Sequence, residues 1–335
     1  MKAPLNLLWL QSGGCGGCTL SLLGAETPHL VQALEDIGIH LLWHPAVSEA
    51  SGTEVLDLLH ACIAGEQPLD ILCVEGALLT GPQSTGRFHL LAGTGRPMMQ
   101  WVEALAQRAH HVLAIGTCAA FGGMSAAGDN ATGAVGLQYE GSLTGGLLGT
   151  DFRSGSGLPV INVAGCPTHP GWVLDTLLAL CLERLAPAQL DPLQRPGLYT
   201  DHLVHHGCPR NEYYEFKASA EKHGDLGCLM ENLGCQGTRA HADCNQRLWN
   251  GAGSCLRGGF ACIDCTAPGF EAPTHPFAQT PKVAGIPTGL PSDMPKAWFV
   301  ALAALSKSAT PKRVRENAHQ HYLAVKPVVR TRGKE

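Results

Sequence analysis

The chain is poor in charge. Asp, Glu, Lys and Arg make up 15% of its 335 residues, and the formal net charge is −5. Such a shortage implies that much of the surface is buried or faces partners, and the balance excludes the basic footprint of a nucleic-acid binder. Long apolar runs are also missing. None approaches the roughly 18 residues that a spanning helix needs, so no membrane span is expected. The opening MKAPLNLLWL has a short apolar stretch with no basic leader or cleavage site, and there is no twin-arginine signal. The expectation is a cytoplasmic protein. There is no GxxxxGK[ST], and GGCGG is not GxGxxG with an acidic residue at the right distance. Serine-nucleophile and paired-carboxylate chemistry find no constellation either.

Cysteine, by contrast, is abundant. The chain holds 14 Cys, 41 Gly and 22 Pro, and its hydrophobic content of 45% rules out global disorder. In a compartment where thiols stay reduced, so many cysteines point to metal. The ordinary reading of any single one is a small core hydrophobe.

Residues 1–190 alternate strand and helix patterns. Candidate strands are 5–10, 39–43, 69–74, 111–115 and 160–163, short apolar runs bounded by turn residues. Such runs suit strands buried on both faces. Helix patterns at 53–64, 98–109 and 172–185 lie between or after them. The alternation predicts an α/β fold with a doubly wound parallel sheet. Near Asp191-Pro192 the character changes. Residues 200–285 are rich in Cys, Gly, His and Asn, and so irregular a segment is expected to bury little apolar core and to need a staple. A short apolar helix is expected at 297–305. Residues 311–335 carry seven Lys and Arg against two Glu.

Four cysteines of the first segment share one placement. Cys15 and Cys18, in QSGGCGGCTLSLLG, follow the first strand; Cys118, in AIGTCAAFGG, and Cys166, in NVAGCPTHP, each follow a later one. In an open parallel sheet the functional crevice lies beyond the carboxyl ends of the strands. The four thiols should therefore converge on one edge, where they could bind zinc or an iron–sulfur cluster. One close pair joined by two distant single cysteines favours the cluster. Cys62, Cys73 and Cys181 sit inside helix or strand patterns and read as core. Beyond residue 200 stand Cys208, Cys228, Cys235, Cys244, Cys255, Cys262 and Cys265, with His205 three residues before Cys208. Together they make eight ligands, enough for two tetra-coordinate sites; the spacing alone leaves their division open. His202, His206 and His223 read as solvated or structural. The residues themselves thus suggest an electron conduit with about three redox centres.

CxxCT after the first strand, GTCAAFGG, AGCPTHP, HxxCPR, GCLMENLGC and CIDCTAPGF occur in this order. The combination resembles the small subunit of [NiFe]-hydrogenases over roughly residues 5–280, most like the cytoplasmic regulatory, H2-sensing subgroup. The resemblance implies a flavodoxin-like domain at 1–190 with a proximal cluster, an iron–sulfur domain at 191–285 with medial and distal clusters, and a C-terminal extension at 286–335. It implies a proximal [4Fe–4S] cluster on Cys15, Cys18, Cys118 and Cys166, and a distal [4Fe–4S] cluster on His205, Cys208, Cys228 and Cys235. The medial cluster falls to Cys244, Cys262 and Cys265. Many family members have a proline in place of a fourth medial ligand and hold [3Fe–4S]; here Cys255 is nearby, so [4Fe–4S] is expected.

Electrons from H2 oxidation at a Ni–Fe(CN)2CO centre in an obligate large-subunit partner would leave through the three clusters. No Ni–Fe site is expected in this chain, because CGGC and CIDC are accounted for by the clusters. Two departures from the family stand out. Gly14 and Leu20 occupy places where many relatives carry glutamate, which puts a proton route there in doubt. Gly17 and Gly123 occupy places where oxygen-tolerant relatives carry extra cysteines. With the basic tail, these features imply an H2 sensor signalling to a histidine kinase, docked through the tail and paired with a second heterodimer. The alternative is a cytoplasmic uptake hydrogenase donating to a soluble or membrane acceptor.

Overall fold

The computed structural model describes residues 4–320 apart from 27, 289 and 291–294. Five parallel strands form its central sheet: β1 (Leu5–Gln11), β2 (Ile39–Trp43), β3 (Ile71–Glu75), β4 (His111–Ile115) and β5 (Ile161–Val163). They run in the order β2-β1-β3-β4-β5, the flavodoxin-like doubly wound arrangement, whose strand order reverses between β1 and β3. The register pairs Leu7 with Ile71 and Ile71 with His111.

Side-chain alternation divides the apolar residues between two faces. Leu7, Trp9, Ile71, Cys73, Leu113 and Ile115 pack on one side against α1 (Gly17–Leu23), α2 (Leu30–Asp36) and α6 (Pro170–Cys181). Leu8, Leu10, Leu72, Val74, Val112 and Ala114 pack on the other against α3 (Thr53–Ala64), α4 (Met98–Ala106) and α5 (Gly116–Phe121). Every residue of β3 and β4 is buried, which is why these strands read as unbroken apolar runs. Cys62 and Cys73 are core residues, and Cys181 packs at its margin.

Residues 200–285 are mostly turns, with α7 (Gly197–Thr200) at their start, a 3-10 helix at Val204–Gly207 and one further short α-helix, α8 (Asn211–Glu215). The expectation that this segment buries little core needs correction. Val204, Leu229, Leu233, Ala240, Ala242 and Leu256 are buried in the same cluster as Leu7 and Trp172. Small and aliphatic side chains spaced irregularly leave no periodic signature, yet they pack onto the α6 face of the sheet. Two helices follow, α9 (Lys296–Ala309) and α10 (Lys312–Ala318). The basic tail expected to dock a partner lies mostly at 321–335, outside the described residues.

Candidate functional site

The strand-order reversal places a crevice at the carboxyl ends of β1 and β3, and the first cysteines stand there. Gly16, at φ 72°, turns the chain from β1 into α1, a conformation that costs glycine little. Cys15 is exposed at this turn and Cys18 is buried in the first turn of the helix. Cys118 lies in α5 directly after β4, and Cys166 directly after β5. The four thiols sit within each other's electrostatic reach: Cys118 and Cys166 oppose ionisation of Cys18, and Cys15 that of Cys118 and Cys166. Burial is the larger cause, pushing Cys18 and Cys118 up and Cys166 up to about 11.

Backbone donors counter this. Thr168 N–H donates to Cys18 Sγ at 3.5 Å and Gly17 N–H to Cys15 Sγ at 3.4 Å. The N–H groups of Met124 and Ser125 point at the Cys118 sulfur. Two glycines make room for the sulfurs: a Cβ at Gly116 would lie 2.4 Å from Cys18 Sγ, and one at Gly123 would lie 2.8 Å from Cys118 Sγ. Gly123 also has φ +49°, so a cysteine there would be both crowded and strained.

The same crevice holds a residue that the sequence reading passed over. Glu75 ends β3, is buried, and accepts hydrogen bonds from Cys18 N–H at 3.1 Å, Thr19 N–H at 3.0 Å, Trp9 Nε1–H at 3.3 Å and Gln11 Nε2–H at 3.2 Å, as well as from the Thr19 hydroxyl. The carboxylate therefore caps the start of α1 and fixes the backbone that carries Cys18. A charge closing an otherwise apolar strand, LDILCVEG, was the available signal.

A second group sits behind the first. Cys244, Cys255, Cys262 and Cys265 line one cavity, beside Trp172 and Val204. Cys255 as a residue is exposed, yet its thiol lines this cavity and burial raises its pKa. Burial also raises Cys244 and Cys262, and pushes Cys265 up to about 12. Among the remaining candidate ligands, Cys208 and Cys235 both act on Cys228, which burial pushes up to about 12. Arg210, itself buried, donates from its backbone to Cys208 Sγ at 3.4 Å and from its guanidinium to the carbonyls of Asp225 and Gly227 at 2.6 Å, pinning the loop before Cys228. His205 packs on Tyr214 at 4.3 Å between ring centroids, and the Tyr214 phenol in turn feels Cys228. Burial lowers the His205 pKa, favouring the neutral imidazole that can ligate.

The three groups are chained. The Thr117 hydroxyl, next to Cys118, donates to the Cys265 carbonyl, and the Cys166 N–H faces the Cys265 sulfur and works against the rise of its pKa. Further out, Gln236 N–H, next to Cys235, donates to Cys262 O at 2.8 Å, and the Cys262 N–H faces the Cys235 sulfur. Among the described residues no three His, Cys, Asp or Glu side chains stand close enough to hold a single metal ion.

Fold and site together define a doubly wound α/β protein with thiol-lined sites in series. The model of the NADH ubiquinone oxidoreductase 20 Kd subunit family matches residues 15–180, and that of the C-terminal region of NiFe/NiFeSe hydrogenase small subunits matches residues 200–278. The F420 non-reducing hydrogenase II small subunit of Methanosarcina mazei is 33% identical over 85% of this chain and 78% of its own length. The periplasmic [NiFeSe] hydrogenase small subunit of Desulfomicrobium baculatum is 34% identical over 82% and 87%. Among solved structures, the actinobacterial-type NiFe-hydrogenase of Ralstonia eutropha H16 superposes with a TM-score of 0.74 at 28% identity, covering 92% of both chains. The chain belongs to the small subunits of [NiFe]-hydrogenases, electron-transfer proteins that act in a complex with a large subunit.

Proposed function

We propose that this chain binds three iron–sulfur clusters and carries electrons from H2 oxidation in the large subunit to an acceptor. The proximal ligands are Cys15, Cys18, Cys118 and Cys166; the medial ligands Cys244, Cys255, Cys262 and Cys265; the distal ligands His205, Cys208, Cys228 and Cys235. The observation that carries this reading is the pair of hydrogen bonds that tie the first thiol group to the second and the second to the third: the Thr117 hydroxyl, next to Cys118, to the Cys265 carbonyl, and Gln236 N–H, next to Cys235, to the Cys262 carbonyl. When bound, the clusters supply one-electron carriers. The protein fixes their ligands, aims N–H donors at the sulfurs and keeps water from them. Four thiols on one cavity support a medial [4Fe–4S] cluster. The large subunit fits the proximal edge, where Leu20 is 69% and Met124 55% exposed beside the cysteine loops.

His205 marks the exit end, since a neutral ligand among thiolates raises the potential. His205→Cys in the purified heterodimer is expected to slow reduction of an external dye at least several-fold while leaving H/D exchange at nickel unchanged. Equal loss of both activities would refute the assignment.

Two physiological settings fit this chemistry. An H2-sensing role coupled to a histidine kinase is supported by Gly14 and Leu20, which remove carboxylates beside the proximal ligands, and by the basic tail sequence. An uptake role, donating to a soluble or membrane acceptor, is supported by likeness to relatives named as F420 non-reducing and periplasmic hydrogenases. Deleting 311–335 separates them: a sensor loses its kinase partner and keeps hydrogenase activity. Among the described residues no helix is long and apolar enough to cross a membrane.

A further inference from the structure

A cavity of about 410 Å³ lies where α9 and α10 meet the loops on either side of Cys228. Lys217, Ser219 and Glu231 line it from the loops, and Lys307, Thr310 and Arg315 from the C-terminal helices and their junction. Its charges do not cancel. Lys307 pairs with one oxygen of Glu231 at 2.8 Å, and the other oxygen accepts the Ser219 hydroxyl. Among the described residues no carboxylate pairs with Lys217 or Arg315. Arg315 donates from Nη2 to the Thr310 carbonyl at 3.2 Å, and among the described residues its other N–H groups make no hydrogen bond. In the cavity wall only Glu221 opposes these two cations, with His319 beside them. Glu215 attracts Lys217 from outside the wall without pairing.

Lys217 is held in place by aromatic rings. It is half-buried, with its ammonium 3.8 Å from the Tyr214 ring centroid and 5.8 Å from that of Phe299. Its backbone adopts φ +51°, where glycine or asparagine is the less strained choice, so the turn alone does not explain a lysine there. Tyr214 packs in turn on His205, and a group bound at Lys217 would lie one ring away from that imidazole. A half-buried ammonium and a guanidinium in one cavity, neither paired with an acid, suit an oxyanion that accepts from both. A phosphate group fits better than a carboxylate, because it carries about two negative charges and more acceptor oxygens. The cavity is larger than a bare phosphate needs and falls within the ~300–1,000 Å³ of small-molecule sites, so an organic group can enter with it.

We propose that this cavity binds a phosphate group, free or carried by a small soluble molecule, beside the third thiol group. That such a molecule would be placed to take electrons rests on the relay reading above; phosphate binding is measured without electron transfer, so either can fail alone. The test is titration calorimetry on the purified heterodimer with its large subunit, in low-salt chloride buffer. The probes are inorganic phosphate, flavin mononucleotide and riboflavin. Expected is binding of inorganic phosphate that weakens with salt. Tighter binding of flavin mononucleotide, with none of riboflavin, assigns the site to a phosphate on an organic carrier; equal or weaker binding assigns it to the free ion. Lys217→Gln and Arg315→Gln should each weaken phosphate binding about tenfold. Lys312→Gln, on α10 but outside the cavity wall, should leave it unchanged. Arg315 is exposed, so its variant should fold normally whatever Lys217→Gln does. No binding of either phosphate probe, riboflavin binding as tight as that of flavin mononucleotide, or binding unaffected by both Gln variants overturns the proposal. So does an altered distal-cluster EPR signal in Lys217→Gln with phosphate binding intact, which would make the ammonium a counter-charge for Cys228.

Discussion

Glu75 and Cys255 show how much hangs on single side chains at these sites. Glu75 gathers five donors onto one buried carboxylate, two of them from the backbone that presents Cys18 and Thr19. Glu75→Gln keeps the shape but replaces one acceptor oxygen with a donor, so at least one of these bonds is lost with the charge. Hydrogen bonds to a charged group are each worth about 1.5–3 kcal/mol. The expected loss of stability is about 3 kcal/mol, read as a lower thermal or urea midpoint; a change below about 1 kcal/mol would show that the carboxylate is not holding the loop. Cys255 is the fourth thiol on the middle cavity. Cys255→Ala is expected to give a [3Fe–4S] EPR signal in freshly oxidised protein that the parent lacks. The same signal already present in the parent would take Cys255 off the cluster. The cysteines were legible because they follow strands and stand in recognisable motifs. Glu75 left one signal, a charge closing an apolar strand, while Arg210 left none, because a charge whose partners are the carbonyls of a distant loop has no periodic or spacing signature.

Among the elements, the five strands were readable to within one or two residues, because burial on both faces makes each a short unbroken apolar run. The helices at 53–64 and 98–106 show the 3.6-residue period. The shorter α2, α5, α8 and α10 span seven residues or fewer, too little for a period to declare itself, and tertiary packing decides them. α5 even opens on Gly116 at φ +83°, a start that propensity would not choose. At the opposite end of β4 lies a pH-sensitive position. His111 is buried, and burial, reinforced by neighbouring His110, lowers its pKa from 6.5 to about 4. The unfolded chain therefore binds a proton between pH 6.5 and 4 that the folded chain refuses. Its contribution to stability is complete above about pH 6.5 and is lost as pH falls toward 4. The urea midpoint of the native protein should drop between pH 7 and pH 5, and His111→Gln should flatten that drop. Parallel curves for the two proteins would remove His111 as the cause. Buried His169, lowered to about 4 by burial and by Arg247, should leave a residual slope of the same sign.

At the scale of the whole molecule, the sheet and the irregular segment are joined where the proposed relay would need them joined. Thr117, between β4 and Cys118, accepts a hydrogen bond from Gly165 N–H at 3.0 Å and donates its hydroxyl proton to the Cys265 carbonyl. One side chain thus ties the loops of Cys118 and Cys166 to the CIDC loop. Thr117 is 1% exposed, so water cannot take the place of the lost hydroxyl. Thr117→Val keeps the volume and leaves a buried N–H and a carbonyl unpaired, at about 1–3 kcal/mol each. The least costly relief is a small separation of the two loops. Electron transfer depends steeply on the gap, so passage from the first to the second cluster is expected to slow, visible as delayed medial reduction in freeze-quench EPR after a pulse of H2. H/D exchange at nickel, which needs no transfer along this chain, should stay unchanged. Thr117→Ser restores the hydroxyl without the methyl and should restore the rate. If Val and Ser variants transfer electrons equally fast, the hydroxyl contact is only a fold contact and does not set the gap between the two sites.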